Sequence, residues 1–300
     1  MPFINVTREK SKLRLALTGP SGAGKTLSAL LLAYGITDDW GKIALIDTEH
    51  GRAKFYANRS DFETGSFLYQ EMSAPYSPDK YKAMVAEGAQ AVGSDGVVIV
   101  DSFSHAWDNE GGVLDIKSEI AKRSGKNDYT AWDEAGKVQN SLVNTILASN
   151  CHTIITLRSK MAYAMEENEK GKMVPVKLGL APIQRENTEY EFDIVMNIAR
   201  NHIACASKDT TFLDTWNGVI TSELGKQLRE WLDNGIEPER CVDCEGLIKS
   251  TPGHTAKQIA EGTLKNYGRK LCWHCMAKEI NKRKEAQRNA AESVSGGTGE

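Results

Sequence analysis

Eight consecutive residues, Gly19-Pro20-Ser21-Gly22-Ala23-Gly24-Lys25-Thr26, have the spacing G-x-x-x-x-G-K-T, which wraps a phosphate chain in backbone N–H groups. Glycines let the backbone turn its amides inward, and the N-terminus of the following helix adds partial positive charge. Lys25 is placed to hold the β- and γ-phosphates, and Thr26 to ligate the Mg²⁺ that bridges them. With Leu27, which continues into the helix, these residues form the expected site for ATP and Mg²⁺.

Two carboxylates extend this chemistry. The run Val97-Val98-Ile99-Val100-Asp101 is an apolar strand closed by an acid, the usual form of a second nucleotide-binding element, in which Asp101 orients Mg²⁺ or its water. Lys42–Asp47 is a second such strand, followed by Thr48-Glu49-His50-Gly51, and acids at the end of a parallel strand face the ligand crevice. Far downstream, Cys241-Val242-Asp243-Cys244 and Cys272-Trp273-His274-Cys275 are paired thiols with zinc spacing. Four thiolates close a tetrahedral Zn²⁺ site without water, which makes it structural. His254 and His274 are competing ligands, with the paired cysteines favoured; disulfides, the other reading, do not suit a cytosolic chain. Metal binding would supply folding free energy on the order of 10 kcal/mol to so small a module.

The elements that must position these groups alternate along the chain. Leu13–Thr18 reads as the strand before the phosphate loop, and Leu27–Tyr34 as the buried helix after it. Ser77-Pro78-Asp79 opens a helix through about Val92, and helical spacing from Tyr129 to about Ser149 precedes a strand at His152–Leu157. Glu166–Gly171 reads as the tip of a hairpin or loop, Phe192–Ala199 and His202–Ala206 as strands, and Ser222–Leu232 as a final helix. The fold class is therefore α/β: a mainly parallel sheet flanked by helices, plus a small C-terminal zinc module. The expected domains are an ATPase domain over 1–235, the cysteine module with its basic helix over 236–286, and a disordered tail over 287–300.

Composition excludes whole-chain disorder: 40% of the 300 residues are hydrophobic and 26% charged. No signal-peptide core or stretch of membrane-spanning length is present, so a cytoplasmic location without membrane partners is expected. The net charge of −3 divides into +6 over Arg240–Arg288 and −9 elsewhere, which favours a polyanionic partner for the cysteine module as much as it does a solvated helix face. Lys265, Arg269, Lys270, Lys278, Lys282, Arg283 and Lys284, with Tyr267 and Trp273 among them, suit phosphate contact and base stacking. Cys151 and Cys205 read as buried thiols.

The run Lys42–Gly51, ending near Tyr56-Ala57, resembles the second strand of RecA-type recombinases. Asp101-Ser102-Phe103-Ser104-His105-Ala106-Trp107, Thr156–Met161, Ala181–Arg185 and Glu189–Asp193 are similar to phage-encoded RecA-like AAA-family ATPases, some of which are assigned as single-strand annealing proteins. The resemblance covers roughly residues 12–200. It implies that Glu49 polarises the attacking water, that Lys25 and Asp101 complete the catalytic group, and that Arg158 and Lys160 lie where the γ-phosphate is sensed. Arg158 would act in its own subunit or reach a neighbour, and Arg185 is a further candidate for a finger acting in trans. It also implies a homo-oligomer in the host cytoplasm, single-stranded DNA as partner with the segment Arg158–Glu191 in the place of the DNA-binding loops, and a single-strand-binding protein as a candidate associate. About a dozen residues precede the first strand, so RecA's N-terminal oligomerisation region has no expected counterpart. His105 and Trp107 adjoin the Mg²⁺ carboxylate, with packing and catalysis both open. The functional expectation is a DNA-stimulated ATPase of recombination, annealing or replication; a nucleotide-switched loader or scaffold with negligible hydrolysis is the main rival, and a small-molecule phosphotransferase the third.

Overall fold

Uninterrupted aliphatic runs suit strands whose two faces are both covered, and here they build the centre of one sheet. The computed structural model describes residues 7–124, 128–167 and 173–295. The chain divides into two compact units, Ser11–Asp233 and Met1–Lys10 with Asn234–Glu300. In the second unit the backbone pairs across its two pieces, Lys10 N–H donating to Ile236 O and Ile236 N–H to Arg8 O, both at 3.0 Å.

The larger unit has strands β1 (Arg14–Gly19), β2 (Ile43–Asp47), β3 (Leu68–Glu71), β4 (Val97–Asp101), β5 (His152–Glu167), β6 (Met173–Pro182), β7 (Ile194–Ile198), β8 (Ile203–Lys208) and β9 (Asn217–Val219). Their order is β3-β2-β4-β5-β1-β7-β8-β9, with β6 paired to β5. From β3 to β7 neighbours run parallel; β8, β9 and β6 are antiparallel. Helices α1 (Lys25–Thr37), α2 (Pro78–Val92), α3 (His105–Asp108), α4 (Val113–Ser124), α5 (Asp128–Leu147) and α6 (Ser222–Asp233) complete the unit.

Period-two alternation sends each strand's side chains into two cores. Leu15, Leu17, Leu45 and Ile99 pack with Leu30 and Leu32 of α1 and Leu224 and Leu228 of α6. Ala16, Ile46, Val98 and Val100 face the other way, towards Tyr81 and Met84 of α2 and Leu142 and Ile146 of α5. Each aliphatic side chain so buried contributes about 1.5–3 kcal/mol. Helix α2 begins as its sequence implies, with Ser77 Oγ accepting the Lys80 N–H at 3.3 Å and Pro78 in the first turn.

Several elements differ from the sequence reading. β3, α3, α4 and β9 were not anticipated, because their short or weakly patterned segments carry little periodic signal. β5 runs past Leu157 as far as Glu167, where its outer half pairs with β6 in a hairpin; the tip expected at Glu166–Gly171 falls partly on residues 168–172, outside the described set. Cys151 is buried as expected, but Cys205 is exposed, because β8 lies near the sheet margin and Ala204 takes the inward position. The tail expected to be disordered from 287 is helical as far as Ser295, in keeping with its Ala, Glu, Gln and Arg content.

Among the described residues of the smaller unit, helices α7 (Ala256–Tyr267) and α8 (Trp273–Ser295) enclose a core of five buried residues, Cys241, Ile248, Ala260, Leu271 and Cys275. Helix α7 is framed by a capping box between Thr255 and Gln258 and by left-handed Gly268.

Candidate functional site

Parallel pairing puts the carboxyl ends of the central strands side by side: Asp47 is in register with Asp101, and Gly19 with Arg158. Ligands of open α/β sheets bind outside this edge. The phosphate loop springs from it at the end of β1, with Gly22 and Gly24 at φ 79° and 90°, values that a side chain disfavours. Gly24 is the N-cap of α1 and supplies no side-chain cap, and no acid lies in the first helical turn. The opening amides of α1 are thus turned to the loop with their partial positive charge unneutralised.

Lys25 leans over the loop, its ammonium donating to Gly19 O at 2.9 Å and Pro20 O at 3.0 Å. Burial lowers its pKa, while Asp101 and then Glu49 pull it back up. Asp101 is buried at the end of β4 between two threonines: Thr26 Oγ1 donates to Oδ2 at 2.6 Å, and Thr156 Oγ1 to Oδ1. Burial raises its pKa and the two hydroxyls oppose that shift, so Thr26 and Asp101 form a paired oxygen donor set of the hard kind that Mg²⁺ prefers.

Glu49 stands just beyond β2, with Oε1 accepting from Arg158 Nε at 2.9 Å and Oε2 lying 3.5 Å from the Arg52 guanidinium. The neighbouring Asp47, expected to face the ligand crevice, instead turns back and is fully buried. Its Oδ1 accepts the Glu49 N–H at 2.5 Å, and its Oδ2 the Ala53 N–H at 3.1 Å and the Tyr69 hydroxyl at 3.2 Å. Asp47 therefore shapes the turn that carries Glu49. Thr48 adds a second tie: its hydroxyl accepts the Ser102 N–H at 2.8 Å and lies 2.7 Å from His105 Nδ1. Burial lowers the His105 pKa to about 4, with the Arg158 charge adding to the shift, so the ring is neutral at pH 7.

The profile of one protein family, described as an AAA domain, matches residues 11–233. The chain belongs to this AAA-domain family. No curated protein matches the sequence. An AAA domain is a nucleotide-binding ATPase module, and the matched residues span the whole sheet and its phosphate loop.

The structure of the AAA domain brings Lys25, Thr26, Asp101, Glu49 and Arg158 together at one sheet edge. It does not bring Arg185 there: this guanidinium donates to Asn140 Oδ1 of α5 at 2.9 Å and lies over Gly136, in an 890 Å³ groove shared with Trp107, Trp132 and Gln184. Trp107 stacks on Trp132 with ring centroids 5.9 Å apart, which gives it a packing role. Thr156 and Thr48 are site residues that sequence reasoning did not single out; Thr48 lies just past an acid-terminated strand, whereas Thr156 lies within β5 and meets Asp101 only through the pairing of β4 with β5.

In the smaller unit the sulfurs of Cys241, Cys244, Cys272 and Cys275 lie within 4.8 Å of one another, and those of Cys244 and Cys272 are 3.7 Å apart. A metal with sulfur ligands at about 2.3 Å needs tetrahedral edges of about 3.8 Å, so the four thiols fit such an ion. Arg269 is engaged by Asp243 and Glu279, and Lys270 by Glu239, whereas Lys265, Lys278, Lys282 and Lys284 are exposed. No helix among the described residues is long and apolar enough to cross a membrane.

Proposed function

We propose that the AAA domain hydrolyses ATP in RecA-like, phage-type recombination or annealing on single-stranded DNA. The observation that carries the hydrolytic part is Glu49, tied by Asp47 and Thr48 to the edge that holds Lys25, Thr26 and Asp101. Lys25 and the loop amides bind the β- and γ-phosphates. Thr26 and Asp101 would hold Mg²⁺, which when bound neutralises phosphate charge. Glu49 accepts the proton of the attacking water at its carboxylate. Arg158, drawn off Glu49 by the γ-phosphate, frees that carboxylate and meets the new charge.

The DNA part is supported by the smaller unit. Its exposed lysines share the segment 265–284 with two aromatic side chains: Trp273 is 65% exposed, and the Arg283 guanidinium lies 4.6 Å over the Tyr267 ring. The four cysteines would hold Zn²⁺ as a structural ion, whose chemistry here is to cross-link the turn carrying Cys241 and Cys244 to the start of α8.

The test is ATP turnover by the full chain with and without single-stranded DNA, beside Glu49→Gln and Lys278→Glu/Lys282→Glu. Stimulation by DNA should be weakened by the charge reversals, and Glu49→Gln should retain ATP while losing turnover by about 100-fold or more. A second reading is favoured by the hold that Arg158 and Arg52 keep on Glu49: a nucleotide-switched loader or scaffold for a replication partner. Turnover that is slow and indifferent to DNA would select it.

A further inference from the structure

The turn between β7 and β8 lies against the phosphate loop, although nearly 180 residues separate the two along the chain. Ala199 O accepts the His202 N–H at 2.9 Å to close the turn, and Asn201 Oδ1 accepts the Ile203 N–H at 3.2 Å. His202 itself has φ 66°, the left-handed region that histidine, asparagine and glycine tolerate better than most residues. That conformation brings its ring onto Gly24: a Cβ there would stand 3.1 Å from Nδ1, a tight contact, and the φ of 90° itself favours glycine. Nδ1 lies 3.0 Å from the carbonyl oxygen of Ala23. A carbonyl oxygen only accepts, so Nδ1 carries the proton and donates.

The consequence follows from the peptide plane. In a trans peptide the Ala23 C=O and the Gly24 N–H point in opposite directions. Anchoring the carbonyl on His202 therefore turns the Gly24 amide away from the β7–β8 turn and fixes its direction in a loop whose glycines would otherwise leave it free. A hydrogen bond received at the oxygen also polarises the peptide and makes the N–H a stronger donor.

We propose that His202 is a positioning residue of the nucleotide site: its Nδ1–H holds the Ala23 carbonyl so that the Gly24 amide is set to receive a phosphate oxygen. This role rests on nucleotide binding by the AAA domain and requires no action on DNA. It also assigns a task to the β7–β8 turn, which no phosphate-loop pattern in the sequence includes.

Two variants separate the donor from the backbone. His202→Gly permits the left-handed φ and removes the donor, while His202→Asn permits the same φ and places an N–H donor the same number of bonds from the backbone as Nδ1. The full chain would be titrated with a fluorescent ATP analogue, with thermal midpoints recorded in its absence. His202→Gly should bind about tenfold more weakly, the loss expected for one hydrogen bond, and should raise KM with kcat little changed. His202→Asn should recover most of the affinity, and both midpoints should stay near that of the unaltered chain. Unchanged affinity in His202→Gly would overturn the proposal, and so would equal losses in both variants, since a loss that the donor does not repair comes from the turn. An unaltered chain that binds no nucleotide would remove the loop itself as a site.

Discussion

At the scale of single residues, the polar groups beneath the sheet edge are held by hydrogen bonds that burial makes obligatory, because a buried polar group without a partner costs about 1–3 kcal/mol. Asp101 meets that demand with Thr26 and Thr156, and Asp47 with the turn it caps. Two buried histidines, His105 near that edge and His152 at the opposite end of the sheet, stay neutral instead, each with one ring nitrogen engaged and an Nε2 that has no partner among the described residues. His152 accepts the Leu13 N–H at Nδ1, 3.1 Å away, and burial drives its pKa well below the usual histidine value; His105 is lowered to about 4. Unfolded, both rings take up a proton near pH 6.5, while the folded chain refuses it. The stability they confer is therefore complete above about pH 6.5 and is lost as the pH falls towards 4. Urea midpoints measured from pH 7 to pH 4 should show that decline, and His152→Asn, which keeps an acceptor for Leu13, should flatten it. An identical slope in the variant would show that His152 is not among the groups responsible.

At the scale of elements, the seating of α1 decides whether the phosphate loop is correctly aimed, and α6 presses on α1 from outside the sheet. The two helices meet at glycines: a Cβ on Gly35 would lie 2.0 Å from Ser222 O, and one on Gly225 2.4 Å from Leu32 O. Neither neighbour can yield, since both are backbone. Gly225→Val should therefore destabilise the AAA domain by roughly 1–3 kcal/mol, read as a lower thermal midpoint, with weaker nucleotide binding as α1 shifts. An unaltered midpoint would mean that the helices separate without cost. The strands that carry Asp101 and Glu49 were legible because four or five aliphatic residues closed by an acid form a local pattern. β3, α3 and α4 were not, because their segments are short or mixed in polarity and take their structure from what they pack against.

At the scale of the whole molecule, the two units differ in what holds them. The AAA domain has two extensive aliphatic cores, whereas among the described residues of the smaller unit the hydrophobic core has five members, two of them cysteines. A core of that size does not stabilise a fold without a further cross-link. Chelation of the full chain should abolish a distinct unfolding transition of the smaller unit and leave that of the AAA domain in place, with one equivalent of Zn²⁺ restoring it. Identical unfolding profiles before and after chelation would exclude a structural ion at Cys241, Cys244, Cys272 and Cys275.

The sequence alone determined whatever a short window of residues dictates. The phosphate loop, the acid-terminated strands, the capped helix at Ser77 and the cysteine spacing all depend on neighbours a few positions apart, where covalent geometry and backbone preference are enough. Only the tertiary structure decided which side chains meet across the sheet edge. Thr156 and Asp101 are 55 residues apart, Glu49 and Arg158 are 109, and Ala23 and His202 are 179. These pairings follow from strand order and register, which are set when two aliphatic faces are buried together, and no local pattern records which strand will lie beside which.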